Sequence, residues 1–116
     1  MWGRKEGRTD EPKWTIITSD ETVVCVKPQG DRQSVTWDDL KVVEVRTNDS
    51  GPWGADVWWV LIGTSSFVEI PQGATGEKEL LDKLLALPGF DHGAFILAMG
   101  STENAVFKCW TRMNKA

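Results

Sequence analysis

Tyrosine is absent from this chain, histidine occurs once, and cysteine occurs twice. With His92 alone and no CxxC or Cys/His cluster, the ligand spacing of a zinc site is missing. Cys25 and Cys109 lie far apart, each inside an apolar-alternating stretch, and are expected to be buried, reduced thiols. No stretch approaches the roughly 20 apolar residues that a bilayer-spanning helix needs. The opening MWGRKEGRTDEP has basic residues but no apolar core, so no secretory signal is read and a cytoplasmic chain is expected.

A basic surplus is missing too. The net charge of -4 and a pI near 4.9 argue against nucleic acid and anionic membrane as partners, since both are bound through basic patches. Ser65, Ser66 and Ser101 stand in turn contexts and no GxSxG motif surrounds any of them. Gly73-Ala74-Thr75-Gly76-Glu77-Lys78 precedes a helix as a phosphate loop does. It lacks the GKS/T ending, and Glu77 and Glu79 would repel phosphate. No cofactor is expected.

What the chain has in excess is tryptophan, seven residues in 116. A single core needs one or two as plugs, so one or two of the others are expected to be partly exposed and available to a partner. The length suits one domain, and 41% apolar with 26% charged residues is ordinary globular composition. Residues 1–12 are read as an arm and residues 13–112 as the domain.

Alternation and turn residues divide the domain into strands at Lys13–Thr18, Thr22–Lys27, Gln33–Trp37, Lys41–Thr47, Asp56–Ile62, Phe67–Ile70 and Val106–Thr111. Asp56–Ile62 is apolar on both sides, which predicts a central strand covered on both faces. Gly63-Thr64-Ser65-Ser66 then turns it into a hairpin with Phe67–Ile70. Gly76–Leu87 carries Leu80, Leu81, Leu84 and Leu87 on one stripe and is the clearest helix. Asp91–Met99 is a second helix candidate, with Asp91 as N-cap and Phe95, Ile96 and Met99 inward. A strand at Ala94–Met99 competes, because FILAM is apolar throughout. The expected fold is α+β: one curved antiparallel sheet of six or seven strands with the Gly76–Leu87 helix packed across it.

The segment 47–76 contains Asp49, Asp56 and Glu69 and no Lys or Arg. Trp53 sits between Pro52 and Gly54 in a turn, where a bulky ring either packs back or meets a partner. With Asp38 and Asp39, these residues form the candidate partner-binding set: Asp38, Asp39, Asp49, Trp53, Asp56 and Glu69. Acidic side chains would steer a basic protein partner and Trp53 would anchor it. Asp49, Asp56 and His92 form a weaker candidate hydrolase set, for which turn capping by Asp49 and a surface position for His92 are the plainer explanations.

Through TNDSGPWGADVWWVL, IPQGATG and LPGFD the chain resembles a group of small bacterial proteins, over roughly Trp14–Trp110. A meander followed by a helix is similar to bacterial pleckstrin-homology-like domains. Size, acidity and exposed aromatics resemble the immunity proteins of contact-dependent inhibition systems. The second likeness implies a non-enzymatic inhibitor, monomeric or weakly dimeric, that covers a basic toxin or nuclease. The first implies a small-ligand-binding or scaffold domain.

Overall fold

The computed structural model describes residues 13–51, 54–101 and 103–112, with residues 49–56 described for backbone pairing only. The expected arm at 1–12 and the ring of Trp53 lie outside the described residues. In chain order the elements are β1 (Thr15–Thr18), β2 (Thr22–Val26), β3 (Arg32–Thr36), β4 (Leu40–Gly51), β5 (Gly54–Gly63), β6 (Phe67–Pro71), α1 (Glu77–Leu85), α2 (His92–Met99) and β7 (Ala105–Thr111). The fold is α+β and the strands are antiparallel. They form two sheets, β1-β2-β3 and β6-β5-β4-β7, where a single curved sheet was expected.

The division falls at Trp37-Asp38-Asp39. This turn is held by the Asp39 N–H donating to the Thr36 carbonyl and hydroxyl, both at 3.1 Å, and it delivers Leu40 into the core. β4 therefore leaves β3 and pairs with β5 and β7 instead. Where the sheets meet, side chains replace a ladder. The Glu69 N–H donates to Gln33 Oε1 at 3.0 Å, and Cys25 Sγ–H to the Glu69 carbonyl at 3.8 Å.

Period-two alternation sorts the residues onto the two faces of each sheet. Ile16, Val23, Cys25 and Val35 from the first sheet meet Val43, Val45, Trp59, Leu61, Val68 and Ile70 from the second in one contiguous core. Leu80 and Leu84 of α1 fill it from one side, and Phe90 and Ala98 from the other. Trp59 is its largest fully buried side chain. The ring stacks on Phe95 of α2 at 5.5 Å, and its Nε1–H donates to Glu77 Oε2 of α1 at 3.0 Å. Glu77 Oε1 in turn accepts from the Gly73 N–H, which closes the turn before the helix.

Asp91 caps α2 as expected, accepting from the Ala94 N–H at 2.9 Å. Residues 92–99 are helical, which decides between helix and strand at this segment. Ile96, expected inward, is 68% exposed. Ala98 takes the buried position and Leu97 is 67% exposed.

Candidate functional site

β5 explains where the surface of interest lies. Its odd-numbered residues enter the core. The even-numbered Trp58, Val60 and Ile62 look the other way, onto the outer face of the four-stranded sheet, and none of them belongs to the contiguous core. As expected, β5 is an interior strand with helices on one of its faces, and Val60 on the other face is 2% exposed, although no described helix or strand forms a second layer there. Both helices and the three-stranded sheet lie on the Trp59 side.

The register assembles the outer face row by row. Phe67, Ile62, Val42 and Thr111 form the first row, Glu69, Val60, Glu44 and Lys108 the second, and Pro71, Trp58, Arg46 and Val106 the third. An antiparallel sheet that faces water usually alternates apolar-in with polar-out. Seven of these twelve outward positions are apolar instead, with Phe67 48% and Val106 59% exposed and Val60 between them at 2%. Four positions are charged, Glu69, Glu44, Lys108 and Arg46, and two of them neutralise each other in the Arg46–Glu44 pair at 2.9 Å. At one corner Trp14 meets Trp58 edge-on, with ring centroids 5.5 Å apart, and Lys27 Nζ lies 5.9 Å from the centre of the Trp14 ring.

The acidic residues singled out from the sequence are spread around this face. Glu69 is half-buried in its middle row, at the β6 edge. Asp38 and Asp39 occupy the turn before β4, beyond the first row. Asp38 is exposed and lines a cleft of about 300 Å3 with Asp20, Glu21, Thr22, Thr36 and Trp37. Asp39 is committed to structure: its Oδ2 accepts from the Thr64 N–H at 3.1 Å, tying the β5–β6 turn to the β3–β4 turn. Asp56 pairs with Asn48 in the backbone register, at the opposite end of the sheet, and Asp49 follows Asn48 on β4. At about 3.3 Å per residue, roughly 30 Å separate the two acidic ends. The side chains of Asp49 and Asp56, like Trp53, lie outside the described residues.

Of the hydrolase set, only the side chain of His92 is among the described residues. That ring sits at the start of α2, with Nε2 at 3.2 Å from the Leu85 carbonyl and its edge against Phe90. The same helix start is tied to β7 by the Asp91 N–H donating to the Cys109 carbonyl at 2.7 Å, near the end of the sheet away from Asp56. Both cysteines are free and buried. Burial first, and the nearby Asp91 charge second, push the Cys109 thiol up to about 11. Burial also raises Cys25, against a smaller opposing effect from Lys27. Such thiols are poor nucleophiles at neutral pH.

Sequence reasoning singled out the acidic positions but missed the outer face as a surface. The signal that could have found it is the double-sided apolar run Val57–Ile62 together with Phe67. No family model, curated protein or solved structure matches the chain.

Proposed function

We propose that this is a non-enzymatic protein-binding domain whose docking surface is the outer face of the four-stranded sheet, and whose partner is a basic protein. The observation that carries the reading is the row pattern of that face: apolar residues dominate, no helix or strand among the described residues packs across them, and acidic residues stand at both ends. Apolar rows on either side of a charged middle row, Glu69, Glu44 and Lys108 around the buried Val60, offer a partner both apolar area and charge. The acidic ends supply long-range attraction for a basic partner, which raises the association rate more than the final affinity. An inhibitor of a basic toxin or nuclease, as in the immunity proteins that the sequence resembles, is the specific role this surface suits best.

The test begins with capture on the immobilised protein from its native host, then identification and purification of the captured partner. Calorimetry follows on wild type, Phe67→Ala, Trp53→Ala and Asp38→Asn. The expected partner is basic. Phe67→Ala should weaken binding by about 2 kcal/mol, the hot-spot scale, while leaving the melting midpoint nearly unchanged. Asp38→Asn should chiefly slow association, with an effect that shrinks as salt rises. A partner whose affinity ignores Phe67 and whose association rate ignores Asp38 would overturn the assignment.

A further inference from the structure

A second surface lies at the other edge of the same sheet. β7 is an edge strand, paired with β4 on one side only among the described residues. Its far side is engaged at Cys109, whose carbonyl accepts from the Asp91 N–H, and among the described residues no strand pairs with that side of Ala105–Lys108. Unpaired strand edges are templates for another strand, and folded proteins usually blunt or cover them.

Three of the five exposed large apolar residues flank this one edge. Ile96 and Leu97 lie on α2, which packs on the core side of β7, and Val106 projects from β7 itself on the outer face. The exposed side of α2 is formed by His92, Gly93, Ile96, Leu97 and Gly100. Gly93, Ile96, Leu97 and Gly100 have the i, i+3, i+4, i+7 spacing that outlines a hole for a side chain of a facing helix. Glycines at its two ends let a second backbone come close. The stretch Gly93–Thr102 carries no charge at all, on a chain whose net charge is -4.

We propose that the protein forms a two-fold dimer in which β7 pairs antiparallel with β7 of a second copy and α2 packs against its counterpart. A second copy is the occupant that these observations select. It brings a strand for the open edge, an apolar helix for the α2 face and another Val106 for the outer side, all through one axis perpendicular to the sheet. The uncharged helix face allows two chains of like charge to approach there. Centring the strand register on Val106 sets Lys108 opposite residue 104 of the second copy, so the two lysines do not oppose each other. The result is a continuous eight-stranded sheet whose outer faces join side by side, which leaves the surface of the proposed function open apart from Val106 at the axis.

Sedimentation equilibrium on the full chain, with amide hydrogen exchange, tests this. Wild type should run at about twice the chain mass of 13.0 kDa. Ile96→Lys and Leu97→Lys, both at positions about two-thirds exposed, should run at the single-chain mass with unchanged circular dichroism. Amides of Val106–Lys108 should exchange at least tenfold more slowly in wild type than in Leu97→Lys. A wild type that stays at single-chain mass up to millimolar concentration would overturn the proposal, even if it binds an extended peptide. So would a dimer that survives both lysine variants, or one whose Val106–Lys108 amides are no better protected than in the variants.

Discussion

Trp58 and Trp59 are neighbours in sequence with opposite fates. Trp59 is 1% exposed and joins three elements, through its stack on Phe95, its hydrogen bond to Glu77 and its place on β5. Trp58 faces outward and is half-buried, with Trp14 as its aromatic neighbour. Trp59→Ala should therefore cost about 3–5 kcal/mol, the range for removing a large ring from a core that cannot fully collapse. Part of that loss comes from leaving Glu77 Oε2 without its donor. Trp58→Ala removes less area from a one-sided contact and should cost about 1–2 kcal/mol. Urea denaturation of the two variants decides the point. Equal losses would mean that the outer face is packed as tightly as the core. The alternation of TVVCVK and KVVEVRT already told which residues point inward, because a strand's period of two needs no knowledge of its neighbours. What lies over the outward residues is not local information, so the run Val57–Ile62 announces an interior strand without telling which elements cover each face.

At the scale of elements, the entry into α1 depends on one backbone position. Gly76 has a φ of 93°, and a Cβ there would run into the carbonyl oxygen of Ile16. The contact is close because Thr75 bridges β1 as a short parallel strand. The Ile16 N–H donates to the Thr75 carbonyl at 2.7 Å, and the Thr75 N–H to the Trp14 carbonyl at 2.9 Å. Gly89, with a φ of 83°, has the same handedness but nothing within 4 Å of its missing Cβ. Gly89→Ala should then cost only the left-handed backbone strain, about 1–2 kcal/mol. Gly76→Ala adds displacement of β1 and should cost at least about 3 kcal/mol. Thermal melts of both variants would show it, and equal midpoints would remove the case for a tight β1–α1 junction. The two helices differ in how far sequence could take them. GEKELLDKLLAL repeats leucine at helical spacing, so its buried stripe was legible. GAFILAM is apolar at every position and has no phase to read, so the outward turn of Ile96 is set by Phe95 stacking on Trp59 and by Asp91 fixing the helix start.

At the scale of the whole molecule, the two sheets are bound together by the shared core and by a few long-range polar ties at the β3–β4 turn. Arg112, just past β7, donates from Nε to the Leu40 carbonyl at 2.8 Å and from Nη2 to the Trp37 carbonyl at 2.6 Å, with its guanidinium over Trp110 at 5.3 Å. Trp37 Nε1–H reaches across to the Ser19 carbonyl at 2.8 Å, and so joins that turn to the β1–β2 hairpin. The number of strands was legible in the spacing of turns, but their division between two sheets was not. Trp37-Asp38-Asp39 has the composition of a hairpin turn, and only the distant partners of Leu40 and Asp39 show that the chain changes sheet there. The acidic positions were equally plain in sequence, while their separation to opposite ends of β4 follows from pairing alone.

The Trp14–Trp58 contact has a spectroscopic consequence. Trp14 enters the three-stranded sheet and Trp58 belongs to the four-stranded one, and their indoles meet at 84° with centroids 5.5 Å apart. Two chromophores that close, held in a fixed skew arrangement, couple their excited states and give a paired positive and negative band in far-ultraviolet circular dichroism. That signal belongs to neither helix nor strand. It would distort any secondary-structure estimate taken from the same spectrum, and it should vanish in Trp14→Phe while the rest of the spectrum stays. Followed during refolding, it would time the docking of one sheet on the other separately from the formation of either.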